Sequence, residues 1–398
     1  MLTVEEALDS ILSRVSVLGT ERVDVLGSLG RVLAEAVVSR REIPPWPNSS
    51  MDGYAVRAED TGRGAALAVV GRVEAGGLPA RVVGRGEAVR IFTGAPLPEG
   101  ADAVVPQEDV EATDARIALR APVERAAFVR SRGEDVRIGD RVLEPGRVLT
   151  AAEIGLLATL GYSQVHVYRR PRVAILSTGN ELADLGTEPG PGQIPNTNTY
   201  TLMAQVLEAG AEPVSLGVVH DRLEAIEERV RAGRDADMLV SSAGVSVGEL
   251  DLVREALTRA GAELHLWQVS MRPGKPITFG SLASRPIFGL PGNPVSAMVT
   301  FELFVRPALL RMAGRRRLTR PRVHARALAP VPNPGARRGY LRVNLEPVGA
   351  GFGARLTGEQ GSAILRSMVA ADGLAVVPPD TVVPAGGDLE IIVLRELP

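Results

Sequence analysis

Residues 171–314 repeat one pattern three times: a continuous apolar run, a glycine-rich stretch and a helix-forming stretch. The apolar runs are RVAILS at 172–177, DMLVSS at 237–242 and PIFGL at 286–290. Runs without polar alternation are typical of parallel strands that are covered on both faces. Because ligands bind outside the carboxyl ends of strands in such sheets, one pocket is expected where three loops converge, namely 177–198, 242–248 and 290–296.

Helix signals follow each apolar run. The helices are expected to begin near Asn198, Gly248 and Pro294, and the first two to end at Gly210 and Gly261. The basic stretch 315–322 then returns the chain to strand-and-turn composition, which predicts a small β domain up to the C-terminus.

The N-terminal half combines two helices with many short strands. Thr3-x-x-Glu6 predicts a capping box at the start of a short amphipathic helix. From Pro44 to about Gly139, short β-branched runs such as AVRIF and DAVVP alternate with glycine and proline, which predicts strands and turns. Thr150 is expected to cap a second helix that ends at Gly161 and precedes a strand ending at Tyr168.

Composition excludes several classes of protein. The chain has 398 residues, a formal net charge of −2 and no cysteine, so we expect two to four domains, no nucleic-acid partner, and neither disulfides nor thiolate chemistry. Its histidines (His166, His220, His265 and His324) lack the spacing of a metal site, and any metal is expected to be oxygen-bound magnesium. Without a signal sequence or a run of 18 apolar residues, we expect a cytoplasmic protein with no membrane association.

LPGNPVS at 290–296 is a candidate anion-binding turn. Gly292 allows the backbone to approach a ligand, and Pro294 in the first helical turn leaves the helix amides directed at whatever lies in front of them. Taken alone, the segment is equally compatible with a rigid strand-to-helix turn that binds nothing.

SSAGVSVGELD at 241–251 is a second candidate loop. Its backbone amides could hold a phosphate, with Glu249 and Asp251 binding hydrated magnesium beside it. The embedded Gly244-x-Ser246-x-Gly248 also matches the nucleophile elbow of serine hydrolases. That alternative is disfavoured because the apolar run stops near Ser242, before the serine, and no histidine follows in a triad setting.

Four charged residues stand near these loops or in the strand-rich segment. Lys275 in MRPGKP is held between prolines, and Arg272 lies three residues earlier, a pair that suits a tetrahedral dianion such as molybdate or phosphate. An exposed basic turn is the alternative. Glu181 in STGNEL and Asp52 in SSMDGYA could each be a functional carboxylate, or a helix cap and a turn residue respectively.

Several long motifs occur together in one order, and they extend over nearly the whole chain. They are PPWPNSSMDGYAV, IFTGAPLPEGADAVV, RGEDV, RPRVAILSTGNEL, SVGELD, PGKP, LPGNPVSA and QGSAILRSM. This set resembles the molybdenum-insertion family of molybdenum cofactor biosynthesis, which also occurs as a domain of gephyrin. The resemblance implies a multidomain α/β and β fold: an elongated helical domain (1–45 with 140–170), an inserted β domain (46–139), an α/β molybdopterin-binding domain with a parallel sheet (171–318) and a C-terminal β-barrel (319–398).

The resemblance also implies the reaction and its residues. The family inserts molybdate into adenylyl-molybdopterin and releases AMP, with magnesium as cofactor. The expected catalytic residues are Asp52, Glu181, Asp251 and Lys275, the first three of them also as metal ligands. The expected cofactor-binding residues are Thr93, Ser246, Gly248, Arg272, Pro291, Gly292, Asn293, Pro294, Ser296, Arg342 and Ser362.

The sequence departs from the family pattern at three places. The family usually has aspartate at Asn180, two glycines at 243–244, where Ala243 precedes Gly244, and lysine at Arg272. These departures bear on rate and oxyanion preference; molybdate and tungstate, both tetrahedral dianions of similar size, are not distinguished by the sequence. The resemblance further implies a homodimer with a shared active site and a molybdopterin adenylyltransferase as partner. A non-catalytic molybdopterin carrier or scaffold remains the alternative.

Overall fold

The computed structural model describes residues 1–242 and 252–397. In that part of the chain the α-helices are α1 (Val4–Leu12), α2 (Ala151–Thr159), α3 (Thr197–Glu208), α4 (Leu223–Ala232), α5 (Leu252–Arg259), α6 (Pro294–Thr300), α7 (Arg306–Met312) and α8 (Leu365–Val369). A π-helix, Phe301–Val305, joins α6 to α7.

The strands of the same residues are numbered in chain order. Those before α3 are β1 (Thr20–Asp24), β2 (Val37–Val38), β3 (Asn48–Ser49), β4 (Gly53–Val56), β5 (Ala66–Val73), β6 (Glu87–Ile91), β7 (Ala103–Pro106), β8 (Val110–Ala112), β9 (Arg116–Leu119), β10 (Val129–Arg130), β11 (Arg141–Leu143), β12 (Gln164–Tyr168), β13 (Arg172–Thr178), β14 (Leu182–Ala183) and β15 (Ile194–Pro195). Those after it are β16 (Glu212–Val219), β17 (Met238–Ser242), β18 (Glu263–Gln268), β19 (Met271–Arg272), β20 (Pro276–Leu282), β21 (Arg285–Leu290), β22 (Arg322–Ala327), β23 (Val331–Asn333), β24 (Arg338–Val348), β25 (Gly351–Leu356), β26 (Gly373–Val377), β27 (Thr381–Val383) and β28 (Asp388–Val393).

The chain forms two compact units. The first consists of Met1–Ala34, Gly146–Ala151 and Gln164–Pro398, and the second of Glu35–Pro145 and Ala152–Ser163. The four-domain boundaries implied by the resemblance stay a prediction beside this division.

A six-stranded sheet forms the centre of the first unit, in the order β16-β13-β17-β21-β20-β18. The strands β16, β13, β17 and β21 are parallel, whereas β20 and β18 continue the sheet in antiparallel pairs. The three apolar runs of the sequence are β13, β17 and β21, which lie side by side. The predicted parallel sheet is therefore confirmed, with an antiparallel extension that the sequence did not indicate.

Neighbouring residues of β13 belong to different cores, which explains why its sequence lacks polar alternation. Ile175 packs in one core with Leu202 of α3. Leu176 packs in the other core with Ile226 of α4. Since successive side chains of a strand point to opposite faces, both faces of this sheet are covered by helices.

A second six-stranded sheet contains a closed barrel. Its order is β19-β24-β25-β22-β28-β26, and β24 also pairs with β26, so that the five strands other than β19 close on themselves. Closure removes the unpaired edges of these strands. The predicted C-terminal barrel is confirmed, and β19 joins it from outside as a parallel neighbour of β24.

The N-terminus begins with the capping box that the sequence predicts. The Thr3 hydroxyl accepts the backbone N–H of Glu6 at 3.1 Å, and the Glu6 carboxylate accepts the backbone N–H of Thr3 at 2.8 Å. The buried face of α1 packs in the core that also contains β13. Further along, β1 pairs with β12, the strand predicted to end at Tyr168.

The second unit is built on a sheet with the order β7-β4-β6-β5-β9-β8. Its strands β6 and β7 are the predicted AVRIF and DAVVP runs. Gly53 begins β4 where the backbones approach closely, since a Cβ there would lie 2.0 Å from the Val105 carbonyl oxygen. Only glycine fits this position, which fixes Asp52 directly in front of β4.

Candidate functional site

A cleft of about 540 Å³ opens at the carboxyl edge of the parallel strands in the first unit. Its volume lies within the usual range for small-molecule sites. Residues from three separate segments line it, namely Glu181, Leu182, Ile194, Pro195, Asn196, Thr197, Asn198, Gly292, Asn293, Pro294 and Ala363. The structure thus brings together the loops 177–198 and 290–296, together with a residue from the barrel part of the chain.

The first turn of α6 differs from the expected anion site. Pro294 is its first residue and has no N–H, and the Asn293 side chain makes no capping hydrogen bond. The next amide, that of Val295, donates to the Ser362 carbonyl oxygen at 3.0 Å. This turn therefore attaches the 360–363 segment to the cleft, and it has one fewer amide for an anion than the sequence suggested.

Arg342 is a fully buried cation on β24, with 0% of its surface exposed. Its Nε donates to Ser367 Oγ and its Nη2 to the Gly361 carbonyl oxygen, both at 3.0 Å. Among the described residues its Nη1 has no hydrogen-bond partner. All its hydrogen-bonded partners within residues 1–242 and 252–397 are neutral, so no carboxylate of these residues pairs with the guanidinium.

The electrostatics of Arg342 reflect this lack of a counter-charge. Burial and, to a smaller extent, the positive charge of Arg272 together lower the pKa of Arg342 to about 10. Arg272 is on β19, where it pairs with Gly339 of β24, three residues before Arg342. A guanidinium stays charged at every ordinary pH, so Arg342 is a buried cation with a second cation, Arg272, close enough to affect it.

Lys275 follows Arg272 in a tightly packed loop. Gly274 between them has φ +101, and a Cβ there would lie 2.5 Å from Thr300 Oγ1 on α6. The loop is therefore held against the helix that carries Ser296, which is itself buried. Within residues 1–242 and 252–397, neither Arg272 nor Lys275 forms a salt bridge, so this loop adds free positive charge beside Arg342.

Among the described residues, Glu181 is the carboxylate that lines the cleft. It is exposed, and its oxygens lie over Gly179, 2.5 and 2.6 Å from where a Cβ would stand. The described residues contain no group of three or more histidine, aspartate or glutamate side chains that could hold a metal. A magnesium ion held there would need further ligands, such as water or substrate phosphate.

Three candidate residues, Ser246, Gly248 and Asp251, lie outside the described residues. The expected start of a helix at Gly248 and the Glu249 carboxylate fall there as well. Asn180, where the family usually has aspartate, uses its Oδ1 to accept the backbone N–H of Asp221 at 3.1 Å.

In the second unit, Asp52 and Thr93 form a pair although 41 residues separate them. Asp52 Oδ1 accepts both the backbone N–H and the hydroxyl of Thr93, each at 2.8 Å. These two hydrogen bonds, the amide first, lower the pKa of Asp52, and the charge of Arg90 adds a smaller effect. The carboxylate is thus kept ionised, and its role in the reaction stays a prediction.

Asn198 was expected only as the start of a helix, yet it connects two segments of the cleft. Its Nδ2 donates to Ser242 Oγ at 2.6 Å and to the Gly292 carbonyl oxygen at 2.7 Å. The true N-cap is Asn196, whose side chain accepts the Thr199 amide. The PNTNT sequence contains two asparagines two residues apart, whereas a helix needs only one N-cap residue. The second asparagine is the signal that could have indicated another role for Asn198.

Comparison with known families covers most of the chain. Residues 2–161 match the MoeA N-terminal region (domain I and II), residues 174–311 a probable molybdopterin binding domain, and residues 324–394 the MoeA C-terminal region (domain IV). In the described residues no helix is both long and apolar enough to cross a membrane.

Curated relatives and solved structures agree with these matches. The molybdopterin molybdenumtransferase of Nostoc sp. is 39% identical over 94% of this chain and 89% of its own length. Molybdopterin molybdenumtransferase 2 of Mycobacterium tuberculosis is 39% identical over 91% and 92%. The molybdopterin biosynthesis MoeA protein of Pyrococcus horikoshii superimposes with a TM-score of 0.84 at 34% identity, and the match covers 100% of both chains. On sequence and fold alike, the chain belongs to the MoeA family of molybdopterin molybdenumtransferases.

Proposed function

We propose that this protein inserts molybdate into adenylylated molybdopterin and releases AMP. Membership of the family supports a role in molybdenum cofactor biosynthesis. The observation that carries the finer proposal is Arg342, a buried guanidinium whose hydrogen-bond partners in the described part of the chain are all neutral. A buried charge without a partner is strongly unfavourable, so a site that retains one is suited to receive an anion.

The charge and shape of molybdate match this arrangement. A tetrahedral dianion presents several oxygens to cations that approach from different directions. Arg272 is close enough for its charge to lower the pKa of Arg342, and Lys275 and Ser296 come from the loop and helix that pack together at Gly274 and Thr300. Charge-assisted hydrogen bonds of this kind are about twice as strong as neutral ones.

In the proposed reaction the cleft holds the adenylylated pterin while the cations hold molybdate. The phosphoanhydride between the pterin phosphate and AMP breaks as water adds to the phosphorus, so that AMP leaves. Molybdate exchanges two of its oxygens, which leave as water with protons from the two thiols and from solvent, for the two dithiolate sulfurs. The protein supplies orientation of the two substrates and positive charge beside the developing phosphate charge, which are the main contributions to such reactions. Asp52 stays ionised through Thr93 and so is available as a carboxylate at neutral pH.

Magnesium is proposed as the cofactor, with Glu181 and Asp251 as ligands and Asp52 as a further carboxylate. Hard oxygen ligands suit this ion, which would screen phosphate charge when bound. Asp251→Asn is expected to keep the fold and lose magnesium-dependent AMP release. Full activity of this variant at ordinary magnesium concentration would show that Asp251 is structural.

The protein is further proposed to act as a homodimer whose two chains share each site, and to receive its substrate from a molybdopterin adenylyltransferase. A closed two-fold interface would give two equivalent composite sites. Both proposals are drawn from the family resemblance.

The direct test is to mix the purified protein with adenylyl-molybdopterin, magnesium and molybdate and to follow AMP by chromatography. AMP release that depends on molybdate is expected, whereas sulfate at the same concentration should support much less. If no oxyanion gives AMP, while adenylyl-molybdopterin still binds in calorimetry, the protein is a carrier rather than a transferase.

A further inference from the structure

Asn198, the second residue of α3, lines the cleft and is 92% buried, with 8% of its surface exposed. It joins the last residue of β17, Ser242, to Gly292 in the loop before α6. Three segments of the ligand edge therefore meet at one side chain.

The orientation of the Asn198 amide is fixed by chemistry. A carbonyl oxygen only accepts hydrogen bonds, so the atom 2.7 Å from the Gly292 oxygen must be the Nδ2 donor. Both hydrogens of that nitrogen are then used, one on Ser242 and one on Gly292. Within the described part of the chain the Oδ1 atom is buried and has no partner, which is unfavourable for stability.

Gln205 repeats the arrangement two helical turns further along α3. Its Nε2 donates to the Met298 carbonyl oxygen at 3.2 Å and to Glu302 Oε1 at 3.0 Å. Its Oε1 also lacks a partner among the described residues. Residues seven apart lie on the same face of a helix, so both amides attach α3 to the segment 292–302. Of the two, Asn198 lines the cleft and Gln205 does not.

We propose that Asn198 is a positioning residue, which sets the separation between the end of β17 and the loop 291–293 and thereby the width of the cleft. This inference rests on the proposed function, since the cleft is taken to hold adenylylated molybdopterin. Asn198 acts through Ser242 and Gly292 and does not itself touch the reacting atoms. Gln205 likewise holds α3 against the segment 292–302, but it does not line the cleft, and it is therefore a matched control.

The test compares Asn198→Ser and Asn198→Asp with Gln205→Met. The serine of Asn198→Ser is too short to reach Gly292, so the cleft should bind substrate less well in the ground state and in the transition state. KM for adenylyl-molybdopterin should therefore rise about tenfold, while kcat stays within about threefold of the value for the unaltered protein. Gln205→Met should lower Tm at least as much and leave KM unchanged.

Asn198→Asp supplies a rescue. Its ionised carboxylate would face the Gly292 carbonyl oxygen, whereas the protonated acid can donate to it as the amide does. Burial and the neighbouring carbonyl raise the pKa of the new carboxyl, so its activity relative to the unaltered enzyme should increase as pH falls through that raised value. The Glu181 carboxylate lines the same cleft, and its negative charge acts in the same direction as burial by disfavouring ionisation of the new carboxyl.

Two outcomes overturn the proposal: an unchanged KM in both Asn198 variants, or the same rise in KM in Gln205→Met. If the unaltered protein releases no AMP, the proposed function fails separately, and calorimetry with AMP as the probe decides the inference. AMP binding that is about tenfold weaker in Asn198→Ser than in the unaltered protein and Gln205→Met supports it, and equal binding in all three rejects it.

Discussion

The Arg342→Met variant tests whether Arg342 serves to bind an anion or to stabilise the fold. The side chain is fully buried, and the unbranched thioether of methionine fills a similar volume. If the charge serves molybdate, its removal should impair molybdate use far more than stability.

The expected effect on stability is a small difference between opposing contributions. Loss of the hydrogen bonds to Ser367 and Gly361 costs about 1.5–3 kcal/mol each, because the donor is charged. Removing a buried guanidinium that has no carboxylate partner among the described residues is expected to stabilise the fold by several kcal/mol, because the cost of burying the charge disappears. The net change in the free energy of unfolding should be within about 2 kcal/mol, a shift in Tm of only a few degrees.

The expected effect on molybdate is large. A charge-assisted contact contributes about 1.5–3 kcal/mol, so the molybdate concentration for half-maximal AMP release should rise about ten- to hundredfold. KM for adenylyl-molybdopterin should change much less. The assay is AMP release at saturating adenylyl-molybdopterin over a molybdate titration.

Arg320→Met is the matched control. Arg320 is a largely buried arginine, but its Nε lies 2.8 Å from the carboxylate of buried Glu302. Removing one partner of such a pair costs about 3–5 kcal/mol, so Tm should fall clearly while the molybdate requirement stays unchanged. If instead Arg342→Met loses as much stability as Arg320→Met and keeps the normal molybdate titration, Arg342 is a structural residue and the reasoning is refuted.

Three other predictions follow from the structure and the family resemblance. Lys275→Ala should raise the molybdate requirement about ten- to hundredfold, and an unchanged titration would identify an exposed basic turn. Thr93→Val removes one of the two donors to Asp52 and should raise the pKa of Asp52 towards 3.8, as measured by NMR. The Asp52–Thr93 pair stabilises the fold above the ordinary pKa of the carboxyl, and this stabilisation is lost as pH falls through the lowered pKa. The variant should therefore lose the stabilisation at a higher pH than the unaltered protein. The Asp52→Ala and Lys275→Ala chains should each be inactive alone. When the two are dissociated and remixed, about a quarter of full activity should return if two chains share a site. No recovery after verified exchange would place both residues in one chain's site.

The sequence indicated best those elements whose pattern reflects complete burial. β13, β17 and β21 are apolar throughout because helices cover both faces, and the capping box of α1 is a local interaction between Thr3 and Glu6. By contrast, β16 lies at the sheet edge with several half-buried positions, so its periodicity is weak.

Site geometry was predictable only where chain order implies position. The end of a parallel strand is a place that the sequence can identify, and two of the three expected loops lie at one cleft. The pairing of Asp52 with Thr93 and the burial of Arg342 depend on contacts across 41 residues and on a barrel interior. Neither leaves a local pattern, so Thr93 and Arg342 were identified only through the resemblance.

The two residues of β19 belong both to the barrel sheet and to the loop that carries Arg272 and Lys275. Met271 and Arg272 pair with Arg338 and Gly339 of β24, and Arg337 Nη1 donates to the Met271 carbonyl oxygen at 3.1 Å. A chain ended before residue 319 would therefore lose Arg342 and also leave the backbone around Arg272 without its hydrogen-bonded neighbour. For the same reason, exchanging barrels between relatives should succeed only when the 270–276 segment is exchanged with them, since the junction lies within the sheet and not at the linker.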